Sequence, residues 1–260
     1  MATSDMALTA LLRDADSVPE IYEALKSFAV GRDFDFFLFG LRVPLSLAQP
    51  VHFLISGYPK EWRKRYDELG FVRLDPIVRH ALASTSPVFW DDIDRSSAIV
   101  NAFFHEAGEF GLSHGVSAPV CGHRGEVGVL SLSRPDPIAE DEQTRFELAQ
   151  QMSWFSAVIY QAVSRVAFSE RTPDVPVRLS EREKQILMWT ATGATSARIA
   201  GELGIAERTV LFHIEKAGKK MGVTGRHKIV SHAVGSGALQ LNQVALQSPR
   251  MAPTTREFSF

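Results

Sequence analysis

Tyr58, Trp62 and Tyr66 recur four residues apart in the stretch Gly57-Tyr58-Pro59-Lys60-Glu61-Trp62-Arg63-Lys64-Arg65-Tyr66, and Asp75-Pro76 follows nine residues after the last of them. Four-residue spacing puts side chains on one face of a helix. Such a face offers two phenolic hydroxyls and an indole N–H over a wall of ring carbon, and Asp75 brings a carboxylate from the next segment. The set suits a small amphiphile with carbonyl and amide groups. Any one of these aromatics could simply pack a half-buried helix into a core. Together they argue for a polar guest, because each buried polar tip needs its own partner and Phe or Leu would fill a core at less cost.

A second kind of chemistry lies further along. Ser180 is a helix N-cap and Glu183, three residues on, completes a capping box ahead of Ile186, Leu187 and Trp189. A short helix over 196–203 ends at Gly204, which suits the left-handed position that closes a helix. A third helix runs from 207 to Met221 with Val210, Ile214, Ala217 and Met221 inward, and a fourth over 228–238 closes the bundle. Helix, tight glycine turn and helix is a DNA-reading arrangement. The outward face of the third helix offers Arg208, Thr209, Leu211, Phe212, Glu215, Lys216 and Lys219 to a groove, with Lys220, Arg226 and Lys228 for phosphates. Two basic residues alone would mean only a solvated surface.

The charge distribution follows this division. Residues 178–240 hold ten Lys and Arg against five Asp and Glu, a net +5, whereas residues 1–177 hold sixteen against twenty-four, a net −8. The basic part is expected to face a polyanion. At 260 residues with 45% hydrophobic content, the chain suits two soluble domains. No run of about 18 apolar residues exists, and the start Met-Ala-Thr-Ser-Asp-Met-Ala-Leu has no basic cluster before an apolar stretch, so a cytoplasmic protein without membrane contact is expected. The single Cys121 reads as a small buried strand residue.

The elements that must position the aromatic set mix strands with helices. Strand patterns cover 35–41, 51–55, 116–121 and 127–133, the last two joined by a hairpin loop at Gly122-His123-Arg124-Gly125. Helical periodicity covers 17–30, 60–69, 76–83, 97–110 and 140–168. In the last, Met152, Phe155, Ile159, Ala162, Val163 and Val166 form an apolar stripe that must cover either the sheet or a partner subunit. An antiparallel sheet between helix layers, an α+β ligand-binding domain over 1–170, is the expected packing. The two prolines of 171–177 mark a linker, an all-α four-helix domain occupies 178–240, and the tail 241–260 is weakly ordered.

Both parts resemble one family. The run from Leu179 to Gly193, followed by Thr209-Val210-Leu211-Phe212-His213-Ile214 and Lys219-Lys220-Met221-Gly222-Val223, resembles the LuxR-type helix-turn-helix, with hallmark positions at Glu183, Leu187 and Gly193. Trp62, Tyr66, Asp75, Pro76, Trp90 and Gly115 fall at the six positions typical of acyl-homoserine-lactone receptors. The resemblance implies a quorum-sensing transcriptional regulator that binds N-acyl-homoserine lactone and double-stranded promoter DNA as a homodimer, with RNA polymerase as a further partner and no cofactor or metal. It implies that Trp62 donates to the lactone carbonyl, Asp75 accepts the amide N–H, and Tyr58 and Ser131 bond the amide carbonyl. Tyr66 would lie along the acyl chain, Trp90 beside the lactone, and Gly115 would permit close approach, with Ser117 a further pocket residue. Phe37, Phe39, Phe53 and Ile77 are available as a dry wall, and the Met152 to Val166 stripe as the dimer surface.

The reading head departs from the family pattern. Lys216 stands where many relatives have Asn, Gly193-Ala194-Thr195 replaces Gly-Lys-Thr, and Gly218 sits inside the third helix at a cost of about 1 kcal/mol relative to Ala. Leu211 can touch a thymine methyl and Glu215 can accept from a cytosine amine, so an altered operator is expected. Two rivals remain: a regulator of the same architecture sensing another small molecule, and a hydrolase of the signal. For the hydrolase, His105-Glu106 lacks a second His four residues on, and no Gly-x-Ser-x-Gly occurs.

Overall fold

The computed structural model describes residues 2–44, 51–122, 125–138, 141–170 and 179–239. They fall into two compact units. The linker placed at 171–177, the tail at 241–260 and the loop residues His123 and Arg124 lie outside the described residues.

The amino-terminal unit is built on one five-stranded antiparallel sheet in the order β2-β1-β5-β4-β3. Its strands are β1 (Phe36–Val43), β2 (Val51–Ser56), β3 (Val88–Phe89), β4 (His114–Cys121) and β5 (Val127–Arg134). The β4–β5 hairpin runs in register from His114↔Arg134 to Cys121↔Val127. Strand side chains alternate between faces, and this alternation separates two cores. Phe37, Phe39 and Leu41 of β1 share one face with Leu130 and Leu132 of β5 and with Val116 and Ala118 of β4. That face is covered by α1 (Ala2–Asp14), α2 (Val18–Val30) and the long α6 (Glu142–Glu170). Phe28 of α2 and Phe155 of α6 stack with centroids 3.6 Å apart.

The opposite face carries Phe36, Ser131, Ser133, Gly115 and Ser117. Over it lie α3 (Lys60–Glu68), α4 (Pro76–Ala83) and α5 (Ala98–Gly108), which contribute Trp62, Ile77, Phe103 and Phe104 to a second, aromatic-rich core. The layered α+β architecture therefore stands as expected from sequence.

Several local expectations change. The apolar stripe of α6 is buried against its own sheet, with Met152 and Ile159 at 0% exposure, so it is no dimer surface. Phe37 and Phe39 lie in the same core with Phe53 packed against it, on the face away from Ser131, while Ile77 alone of the expected dry wall joins the aromatic core. Cys121 is exposed at the end of β4 rather than buried. Helix α1 and the two-residue β3 were not anticipated.

The second unit is a four-helix bundle of α7 (Glu181–Ala191), α8 (Ser196–Leu203), α9 (Glu207–Met221) and α10 (Arg226–Gly235). Ser180 accepts from the Glu183 backbone N–H while the Glu183 carboxylate accepts from that of Ser180, so the expected capping box is present. Gly204 closes α8 at φ 62°. Val210, Ile214, Ala217 and Met221 are all buried in the bundle core. Gly218 has a packing reason: a Cβ there would lie 2.7 Å from Ile229 Cδ1 and from the Val223 carbonyl oxygen. The propensity cost in α9 is the condition for α10 to pack closely.

Candidate ligand pocket and DNA-reading helix

Pro59 sets the start of α3. A residue before proline is kept out of the α region, so Tyr58 lies outside the helix, and its backbone N–H donates to Ser56 Oγ at 3.1 Å. Only Trp62 and Tyr66 share the α3 face. The three aromatics nevertheless converge, since Trp62, Tyr58 and Tyr66 all belong to or pack against the aromatic core. The Trp62 ring sits 5.7 to 5.9 Å from the rings of Tyr66, Phe71, Phe103 and Phe110. It is 2% exposed, yet its indole N–H has no hydrogen-bond partner among the described residues.

Asp75 works as the N-cap of α4. Its Oδ1 accepts from the backbone N–H groups of Ile77 (2.8 Å) and Val78 (3.4 Å), and its Oδ2 accepts from the Tyr66 hydroxyl at 2.9 Å. A carboxylate has about four acceptor positions, so one more donor can be taken. Burial pushes this carboxyl above the ordinary aspartate value, opposed by the hydrogen bonds from Tyr66, Ile77 and Val78. Burial also raises the phenols of Tyr58 and Tyr66, which therefore stay protonated donors at neutral pH.

The sheet supplies the floor. Ser117 and Ser131 pair directly across β4 and β5 with oxygens 2.8 Å apart, and Gly115 pairs with Ser133. Trp90 lies on Gly115, where a Cβ would come within 2.6 Å of the indole and 2.7 Å of the Leu132 carbonyl oxygen. Trp90 Nε1 donates to Ser117 Oγ at 2.9 Å. Sequence reasoning missed Ser133, a fully buried hydroxyl without a well-formed hydrogen bond that, with Ser131, faces the Tyr58 phenol. Strand alternation was the available signal, since Ser131 and Ser133 must share a face. All eight expected pocket residues thus lie in or against one layer of this unit.

On α9, Arg208, Leu211, Phe212, Glu215, Lys216 and Lys219 are exposed and Thr209 is partly so. Leu211 and Phe212 are 46% and 55% exposed and adjacent on this helix, which leaves apolar surface free for a groove. Two of the residues expected to contact phosphates also have partners inside the bundle. Lys220 Nζ donates to Oε2 of the buried Glu183 at 2.6 Å, and Arg226 donates to Ser196 Oγ and the Ala194 carbonyl at 2.7 and 2.6 Å. The buried Glu183 carboxylate and the carbonyl of Ala194, in the turn between α7 and α8, thus take hydrogen bonds from these two cations.

Comparison with known proteins agrees with both units. The autoinducer binding domain family matches residues 17–163, and the family of bacterial regulatory proteins of the luxR type matches residues 177–233. The chain belongs to the LuxR family. Among its relatives, the transcriptional activator protein AnoR of Acinetobacter nosocomialis is 33% identical over 85% of this chain and 92% of its own length. The crystal structure of Escherichia coli SdiA superposes with a TM-score of 0.73 at 26% identity, covering 90% of this chain and 96% of that one. SdiA has also been solved in complex with octanoyl-rac-glycerol, with a TM-score of 0.74 at 25% identity over 89% of this chain and 93% of that one. CepR2 of Burkholderia cenocepacia, described as N-acylhomoserine lactone dependent, gives 0.53 at 25% identity over 64% of this chain and 96% of its own. This LuxR-family chain is accordingly a DNA-binding regulator with an autoinducer-binding domain, and its relatives are transcriptional regulators rather than hydrolases. Among the described residues no helix is long and apolar enough to cross a membrane.

Proposed function

We propose that residues 1–170 of this LuxR-family regulator bind an N-acyl-homoserine lactone and that residues 178–240 read promoter DNA in response. The observation that carries the reading is Trp62, a residue only 2% exposed whose indole N–H makes no hydrogen bond among the described residues, beside an Asp75 with one acceptor position open. An acyl-homoserine lactone has an N–H for Asp75 and carbonyl oxygens for Trp62, Tyr58 and Ser131. Ligand burial completes the pocket layer, so folding and detection are coupled: a ligand that binds only the folded form stabilises it by about 2.7 kcal/mol at a hundredfold excess over Kd.

A second reading, an acyl glycerol, is favoured by the solved SdiA complex. Such a ligand has an ester and hydroxyls but no amide N–H. Titration of the full chain with N-octanoyl-homoserine lactone and with octanoyl glycerol separates the two. The amide reading expects tighter lactone binding that Asp75→Ser weakens, and equal or tighter glycerol binding would favour the second.

The active species in this account is a cytoplasmic homodimer that contacts RNA polymerase at its promoter. With the α6 stripe spent inside the chain, its outer face supplies the dimer surface: Phe146, Gln150 and Trp154 recur four residues apart, with Phe146 and Trp154 at 59% and 62% exposure. Sedimentation of Trp154→Glu should give monomers where the parent chain gives dimers; an unchanged dimer would reject this surface.

A further inference from the structure

Trp90 is more than a ring on the pocket floor. It begins a 3-10 turn (Trp90–Asp92) directly after β3, and lies flat on Gly115 because no side chain separates them. That posture aims Nε1 at Ser117 Oγ, 2.9 Å away, in a buried contact. Ser117 is 0% exposed and stands opposite Ser131, 3% exposed, on the next strand, with 2.8 Å between oxygens.

An indole nitrogen donates and cannot accept. Ser117 Oγ must therefore accept from Trp90, and among the described residues Ser131 Oγ is the one acceptor in reach of the Ser117 proton. The Ser131 oxygen is then occupied as an acceptor, and its own proton is left for the far side, where the Tyr58 phenol stands. Two serines alone could turn either way. The indole favours one sense, because only with Ser117 donating to Ser131 does the Ser117 proton meet an acceptor among the described residues.

We infer that Trp90 is a positioning residue that fixes the direction of a hydroxyl relay, Trp90 to Ser117 to Ser131, so that Ser131 meets the ligand as a donor and selects a carbonyl oxygen at that point. The inference rests on the proposed acyl-amide ligand and adds a specificity determinant to it. Ser131 touches the ligand, and Trp90 and Ser117 act on affinity through it. A relay of buried, mutually polarised hydrogen bonds is apportioned only by double-mutant cycles.

The test is calorimetric titration of the full chain with N-octanoyl-homoserine lactone. The variants are Trp90→Phe, Ser117→Ala and Ser131→Ala, with each of the first two also combined with the third. Phe keeps a ring on Gly115 but loses the N–H together with the packing of the five-membered ring, and the cycle with Ser131→Ala separates the two losses. Each single change is expected to weaken binding roughly tenfold, the scale of one buried hydrogen bond, and each double variant should bind no more than about threefold worse than Ser131→Ala alone. Double variants weakened roughly a hundredfold would mean that Trp90 and Ser117 act independently, and the relay would be rejected. Wild-type affinity in Trp90→Phe would reject it as well. If that variant does not fold, the Ser117→Ala pair decides by the same criterion. No binding by the wild-type chain would overturn the proposed ligand and the relay with it, whereas tight wild-type binding with additive variants removes the relay alone.

Discussion

The Tyr66 hydroxyl donates to Asp75 Oδ2 across 2.9 Å, tying α3 to the N-terminus of α4 through a carboxylate whose other oxygen caps that helix. One side chain thus has a structural duty and a recognition duty, and substitution can separate them. Asp75→Ala removes both, and should lower the stability of the ligand-free protein by about 1 kcal/mol through the lost cap. Asp75→Ser keeps a capping oxygen but not the acceptor of the Tyr66 hydroxyl, so it should retain about 1 kcal/mol more stability than Asp75→Ala. Both should lose most of the lactone-induced rise in melting temperature. A full ligand response in Asp75→Ser would place the amide elsewhere.

Acidification probes the same carboxyl. Burial raises its value above 3.8 in the folded chain, so the folded state holds the proton to higher pH than the unfolded chain does. The contribution of this group to ligand-free stability is therefore fully present below the unfolded value and is lost as pH rises through the folded one. Ligand affinity has the opposite slope, because accepting an amide N–H requires the carboxylate. Titrations across mildly acidic pH should show lactone affinity falling as pH drops, with an onset above 3.8, and Asp75→Ser should flatten the profile. Affinity that rises on acidification would contradict the assigned role.

At Gly115 the limit is steric. An alanine Cβ would sit 2.6 Å from the Trp90 ring and 2.7 Å from a backbone carbonyl, and the ring must move because the strand cannot. Gly115→Ala should cost about 1–3 kcal/mol in the ligand-free protein and weaken lactone binding as Trp90 leaves Ser117. Thermal melts and titration of one preparation check both. Unchanged values would mean that the indole has room to spare.

The cations of the second unit divide by task. Lys220→Met leaves the carboxylate of Glu183, 1% exposed, without its ammonium, and should destabilise the bundle on the order of 2 kcal/mol; Lys220 is itself 34% exposed, which keeps the cost below that of a fully buried pair. Its effect on the salt dependence of DNA binding should be nil. Lys216→Ala and Lys219→Ala should leave stability alone and reduce the slope of log affinity against log salt by about 1 each. The reverse pattern would return Lys220 to the groove.

How much of this was legible in sequence depended on whether the governing physics is local. The Ser180–Glu183 capping box, the Gly204 stop and the inward Val210, Ile214 and Ala217 are decided within a few residues, and each stands as read. The α+β layering followed from strand and helix periodicity. The four-residue aromatic spacing overstated the helix because Pro59 acts on Tyr58 more strongly than periodicity does. Phe37 and Phe39 went to the wrong core because alternation divides a strand into two faces without saying which one meets the pocket. The partners of Lys220 and Arg226 lie 37 and 30 residues away in sequence, beyond what spacing can show. Ser133 was within reach of the same alternation, which puts it on the face of Ser131, but a serine in a strand carries no further mark that separates a pocket floor from a core.

The most direct measurement of the central claim is the melting temperature of the full chain, with soluble yield on expression, across a panel of N-acyl-homoserine lactones differing in chain length. At least one lactone, recovered intact, should raise both, and the same lactone should strengthen binding to promoter DNA in the parent chain but not in Asp75→Ser. A panel that leaves melting temperature, yield and DNA binding unchanged would contradict that claim.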